Sequence, residues 1–169
     1  MLTDHLRPGL RLVIAGVAPA GPPQTHRHYY AGRGNSFWQL LHESGLVPAR
    51  LGPEDDERLP EFGIGLTDLA KSVTAMPDGG VTVHYDVAGL GAKVAAVRPL
   101  AVAFVSKTAA QAYASGARLP LPHEWGATGW DVAGRPGFVL PGPSGANNGM
   151  ALPLRIALWR DLADFLETL

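Results

Sequence analysis

The stretch Leu12-Val13-Ile14-Ala15-Gly16-Val17-Ala18-Pro19-Ala20-Gly21 decides how this chain is read. Its apolar start, cut off by Gly and Pro, reads as a buried strand over Leu10 to Val17 that opens into a loop. The loop continues through Tyr29-Tyr30 to Arg33-Gly34-Asn35. Open α/β sheets bind ligands where a strand ends and its loop begins. Small residues there let the backbone come close to whatever binds.

Working outward, Asn35 suits the N-cap of a helix over Ser36 to Ser44, with Phe37, Leu40 and Leu41 at helical spacing and Gly45 as its stop. Pro53 to Leu59 reads as a short, exposed, acidic helical turn. Its run Glu54 to Glu57 is expected to face away from any polyanion. Ile64 to Leu69 reads as a second strand, followed by Lys71-Ser72 and a turn over Met76 to Gly80. A helix is predicted over Asp86 to Val97, striped by Val87, Leu90, Val94 and Val97. Pro99 to Val105 has the continuous apolar character of a strand covered on both faces. An Ala-rich helix over Lys107 to Ser115 is expected to close at Gly116. Leu119 to Gly134 reads as irregular. Phe138 to Leu140 is a short strand that opens into Pro141 to Gly149, and the last helix spans Leu152 to Leu169. Strands alternating with helices predict a parallel sheet between helical layers.

Composition bounds the function classes. The chain has 169 residues, 46% hydrophobic and 17% charged, enough to bury the core of one globular domain. It has no Cys, which excludes disulfides, thiolate nucleophiles and Cys-ligated metal and is compatible with the cytoplasm. No apolar run approaches the roughly 18 residues of a membrane helix, and Met1 to Arg7 lacks the apolar core of a secretory signal. The net charge of −1 gives no support for a nucleic-acid partner by itself. Charge is nevertheless clustered, with His26, Arg27, His28 and Arg33 in the opening loop. These residues resemble no metal-ligand set, so no metal and no cofactor are expected.

The strands ending at Val17, Leu69, Val105 and Leu140 are expected to run the same way, which gathers their loops at one sheet edge. The first loop brings Ala18, Tyr30 and Asn35, the second Asp68, Lys71 and Ser72, and the fourth Ser144 to Gly149. Three motifs carry a resemblance. Gly16-Val17-Ala18-Pro19, Tyr30-Ala31-Gly32-Arg33-Gly34-Asn35-Ser36-Phe37-Trp38 and Leu140-Pro141-Gly142-Pro143-Ser144-Gly145-Ala146-Asn147 resemble the mismatch-specific uracil-DNA glycosylases. That family includes the thymine-DNA glycosylases and lies within the uracil-DNA glycosylase superfamily. The likeness spans nearly the whole chain.

The resemblance implies a three-layer α/β/α fold with a central, mostly parallel four-stranded sheet. It implies hydrolysis of the N-glycosidic bond of uracil flipped out of double-stranded DNA, in base excision repair. By position, Tyr30 would stack on the uracil. Val17, Ala18 and Ala20 would line it with backbone, and Asn35 would border it. Ser144, Gly145, Ala146, Asn147 and Asn148 would enter the duplex. Arg33 and Lys71 are the phosphate candidates, with Lys107 as a third. A cytoplasmic monomer, associated with the nucleoid if bacterial, is expected.

Two departures matter. The close family reads Gly-Ile-Asn-Pro-Gly where this chain has Gly16-Val17-Ala18-Pro19-Ala20, and a methyl group cannot hold a water. Another branch of the superfamily has Gly-Leu-Ala-Pro-Ala and is thought to use an Asp from a neighbouring strand end. The matching residue here is Asp68, whose carboxylate suits water activation and stabilisation of an oxocarbenium-like sugar. The plain alternative for Asp68 is a cap on the chain after the strand. Asp86 is the competing carboxylate, and N-capping fits it better. The family often carries a Leu wedge in the last motif, where this chain has Ala146, so the opposite base is expected to matter less. No Lys is an obvious Schiff-base former, which favours water as the nucleophile; Lys71 is the one to check. Two rival functions stay open: an inactive module that binds damaged DNA, and a hydrolase of free nucleosides.

Overall fold

The computed structural model describes residues 2–17, 27–75, 81–144 and 149–169, with backbone alone at 71–75 and 81–84. Its central sheet has five strands: β1 (Leu12–Gly16), β2 (Ile64–Asp68), β5 (Ala101–Val105), β6 (Gly126–Val132) and β7 (Arg135–Leu140). Their order is β2-β1-β5-β7-β6. The four strands expected from sequence run parallel, and β6 adds an antiparallel edge. The expected count of four is therefore one short. A separate two-stranded antiparallel sheet pairs β3 (Ala70–Ala75) with β4 (Val81–Tyr85).

Helices cover both faces of the central sheet. On one face α1 (Phe37–Glu43) and α4 (Leu152–Glu167) pack with Leu12 and Ile14 of β1 and their neighbours in β2, β5 and β7. On the other face α2 (Val87–Val97) and α3 (Lys107–Ala117) bury Ala15, Val102, Phe104 and Val139. Alternate residues of one strand thus feed opposite cores, which is why β1 and β5 are apolar throughout. The chain leaves β1 for β2 on one side and later returns to β5 on the other. That change of direction opens a crevice at the carboxyl end of β1.

Several local expectations are corrected. The segment read as irregular contains β6, which turns into β7 through Ala133 and Gly134, both at positive φ (48° and 81°). Its register shifts between Ala127 and Asp131, and that bulge breaks the alternation a strand would show in sequence. Gly116 does not close α3, which runs to Ala117 and is capped by Arg118 in the left-handed region. A Cβ at Gly116 would fall 2.5 Å from Val87 Cγ2, so this glycine serves close packing of α3 on α2. The strand read over Ile64 to Leu69 ends at Asp68, and Lys71-Ser72 lie in β3 rather than a loop. The turn expected over 76–80 lies outside the described residues.

The acidic segment departs most. A 3-10 helix spans Pro53–Phe62, longer than the turn expected, and Asp56 within it is buried. Asp55 Oδ2 accepts the Gly52 N–H at 2.9 Å, closing the start of that helix. The acidic run therefore does not simply face solvent.

Candidate functional site

The carboxyl ends of the four parallel strands enclose a cavity of about 210 Å³. That is smaller than the roughly 300 Å³ at which drug-sized pockets begin, and suits a single ring. Gly16 and Val17 come from β1, Asp68 from β2, Val105 and Ser106 from β5, and Gly142 to Ser144 follow β7. The first loop adds His28 to Ala31 and Asn35, and Leu2 reaches in from the N-terminal segment.

Asp68 is positioned by strand pairing. It lies opposite Gly16 in the β1–β2 ladder, and the ladder continues as the Leu69 and Ala70 N–H groups donate to the Gly16 and Val17 carbonyls. A Cβ on Gly16 would fall 2.9 Å from Asp68 Oδ1 and 3.3 Å from Tyr30 Oη. Only glycine lets the carboxylate and the phenol approach the strand this closely. Burial pushes the Asp68 carboxyl up to about 7, and the Asp4 charge adds to that rise. Lys93 and the Tyr29 hydroxyl act in the opposite direction. Among the described residues, the buried Asp68 Oδ2 has no hydrogen-bond partner. Neither do the buried hydroxyls of Tyr29 and Tyr30. Buried polar atoms are nearly always satisfied, so three open ones around one cavity mark a place for a polar ligand or water.

The two tyrosines sit differently. Tyr29 is core, 2% exposed, with its N–H donating to Asp56 Oδ2 at 2.9 Å. Tyr30 lines the cavity in a left-handed backbone conformation (φ 54°). One face of its ring stacks on Phe37, with centroids 3.8 Å apart and planes 16° from parallel. Burial, then the charge of Asp68, raises the Tyr30 phenol, so it stays a protonated donor.

Asn35 lines the cavity, and its Oδ1 accepts the Phe37 N–H at 2.9 Å. The N-cap of α1 is Ser36, one residue later than expected, and Asn35 steadies the turn just ahead of it while lining the cavity. The next residue, Ser36, donates its N–H to the Pro143 carbonyl at 2.8 Å, tying the second motif to the third. Ser144 is exposed and lines the mouth. Arg33 is exposed but does not line the cavity. Lys107 sits over the Trp125 ring, 4.3 Å from its centroid. Asp86 accepts the Gly89 N–H at 3.0 Å and caps α2, the role sequence favoured for it. Ala18, Ala20 and Gly145, Ala146, Asn147 and Asn148 lie outside the described residues, as does the side chain of Lys71.

Three contributors were not singled out from sequence. Asp56 is 1% exposed and anchors the first loop: besides the Tyr29 N–H, its carboxylate meets His28 Nδ1 at 3.2 Å and His5 Nε2 at 3.4 Å. A carboxylate inside an acidic run carries no mark that it alone turns inward. Ser106 caps α3 by accepting the Ala109 N–H at 3.1 Å, and does so at φ 127°, ψ 157°, a region glycine favours. Such strain is held where surrounding structure demands it, and here it falls at the cavity wall. Leu2 was invisible because its contact depends on the N-terminal segment pairing antiparallel to β2 at His5 and Leu66.

The sheet order and the crevice define an α/β fold with a ligand-sized cavity at its strand ends, one wall of which is a carboxylate. Comparison with known proteins agrees. Residues 3–163 match the family model described as the uracil DNA glycosylase superfamily, and the chain belongs to that superfamily. Membership points to a hydrolytic glycosylase acting on uracil in DNA. The fold is also similar to the solution NMR structure of a candidate uracil DNA glycosylase from Methanosarcina acetivorans. The TM-score is 0.66 at 20% identity, over 98% of this chain and 96% of that one. Among the described residues no helix is long and apolar enough to cross a membrane, and no group of three or more His, Cys, Asp or Glu could hold a metal ion.

Proposed function

We propose that this chain is a monofunctional uracil-DNA glycosylase of the mismatch-specific type, a monomer that works on a base flipped out of the duplex. Asp68 takes a proton from water as the water oxygen attacks C1′ of the deoxyribose, and the N-glycosidic bond breaks to release uracil as its anion. The negative carboxylate also stabilises the positive charge that grows on the sugar. Tyr30, backed by Phe37, is the stacking platform for the ring. Val17 offers backbone to the base edge and Asn35 its amide. Ala18 and Ala20 complete that wall. Ser144 and 145–148 fill the gap left in the duplex, and Arg33 and Lys71 hold phosphates.

The observation that carries this reading is Asp68 itself. It is a carboxylate mostly buried at the end of a central strand, beside an obligatory glycine, with an oxygen that no other described group satisfies. A cap on the chain after the strand would spend that oxygen on a backbone N–H.

Duplex DNA holding one uracil, incubated with the protein and then treated with alkali, is expected to break at that site. Asp68→Asn is expected to slow the single-turnover rate by about 10²-fold or more. Binding without cleavage would instead support a damage-recognition module. Cleavage of free deoxyuridine but not of the duplex would make the chain a nucleoside hydrolase.

A further inference from the structure

Behind the base cavity lies a second one of about 300 Å³, and Asp68 forms part of the wall of both. Asp4, Asp86 and Lys93 also line this rear cavity. Its charged side chains are organised. Lys93 Nζ, from α2, lies 2.6 Å from Asp4 Oδ2 and donates to Thr67 Oγ1 at 3.3 Å. Thr67 donates its hydroxyl to Asp4 Oδ1 at 2.7 Å and is the residue before Asp68 on β2. Asp4 is delivered by the N-terminal segment, whose His5 pairs with Leu66 of the same strand.

We propose that Lys93 is a positioning residue for Asp68: held by Asp4 and Thr67 behind β2, its ammonium cancels the Asp4 charge and favours the ionised form of the Asp68 carboxylate. The inference rests on Asp68 as the water-activating group. A buried carboxylate facing a second, unneutralised carboxylate favours the protonated form, and a protonated Asp68 can neither accept a proton nor stabilise a cationic sugar. The rise of Asp68 with burial and Asp4, and the opposite action of Lys93, agree in direction. Among the described residues, the other titratable groups around Asp68 are Tyr29 and Tyr30, both held protonated, His28 across the base cavity, and Asp86, whose carboxylate caps α2. The Lys93 and Asp4 side chains are 36% and 29% exposed, so salt reaches them and the effect weakens at high ionic strength.

The test is the pH profile of single-turnover uracil release from duplex DNA. Lys93→Met leaves Asp4 unpaired, so the acidic limb is expected to move to higher pH. The rate falls by about tenfold at pH 6 for each unit moved and recovers above pH 9. Lys93→Arg is expected to keep the wild-type profile. Asp4→Asn removes the opposing charge, so alone it moves the limb to lower pH, and added to Lys93→Met it restores the limb toward wild type. A Lys93→Met rate reduced equally at every pH, or an unmoved limb, overturns the proposal. Should Lys93→Met fail to fold, Asp4→Asn alone decides, because an unmoved or alkaline-shifted limb rejects it. If Asp68→Asn proves fully active, the reading of Asp68 itself has failed. If Asp68→Asn is inactive while the Lys93→Met limb stays in place, only the role of Lys93 is lost.

Discussion

Asp68 shows what burying a carboxylate costs the fold. In an unfolded chain its carboxyl has the ordinary value of 3.8, whereas burial in the folded protein raises it to about 7. Between those values the folded state binds the proton and the unfolded state has already lost it. Stability therefore falls as pH rises from about 4 to about 7, and stays lower above that. Asn at this position carries no charge to desolvate. Asp68→Asn is expected to match wild type near pH 3.5 and to exceed it at pH 8 by on the order of 2–4 kcal/mol, while being the less active protein. Urea denaturation at the two pH values measures this. A variant whose advantage over wild type is no larger at pH 8 than at pH 3.5 would mean the carboxylate is not held against its solvation. Its place at the crevice was legible in sequence, because Asp68 ends the strand beside the first one. The charge environment that Asp4 and Lys93 create around it was not, since neither is near it along the chain.

At the scale of elements, strands and helices with strong local patterns were readable and the segments between them were not. The continuous apolar runs of β1 and β5 and the cap Asp86 announce themselves within a few residues. By contrast β6 carries Gly126 and Gly129 at positive φ and a bulge, so its pairing with β7 is a tertiary fact rather than a local one. The 3-10 helix Pro53–Phe62 makes the same point with more consequence for the site. Its composition reads as a solvated turn, yet Asp56 turns inward and holds the loop that ends in Tyr29 and Tyr30. Asp56→Ala leaves the Tyr29 N–H buried without its acceptor and removes a partner from His5 and His28. It is expected to cost about 2–4 kcal/mol in urea denaturation and to lower uracil release. Glu57→Ala, one residue on and exposed, is expected to change neither. Equal effects from the two substitutions would show that the acidic run acts as a whole and not through Asp56.

For the molecule as a whole, the layers are tied to the cavity by backbone carbonyls of the third motif. The sheet order puts the ends of β1 and β5 at the crevice, but it does not fix the loop after β7. Two donors from the α1–α4 layer do that. The Ser36 N–H reaches the Pro143 carbonyl, and the Trp159 indole N–H donates to the Pro141 carbonyl at 3.1 Å. Trp159 is fully buried on α4, edge-on to Phe37, which in turn stacks on Tyr30. One side chain therefore supports both the loop that carries Ser144 and, through Phe37, the Tyr30 ring that lines the cavity. The packing of Trp159 is the route by which the helical layer reaches the cavity. Trp159→Phe keeps an aromatic ring and removes the indole N–H, leaving the Pro141 carbonyl unsatisfied beside a small void. It is expected to lose about 2–3 kcal/mol of stability. It is also expected to weaken binding to uracil-containing duplex more than it slows single-turnover release, because the Pro141 loop moves while Asp68, held by the β1–β2 ladder, does not. Duplex affinity and single-turnover rate, measured on the same preparation below its unfolding temperature, separate the two. A rate loss larger than the affinity loss would mean that Trp159 acts on Asp68 through the sheet and not on the loop.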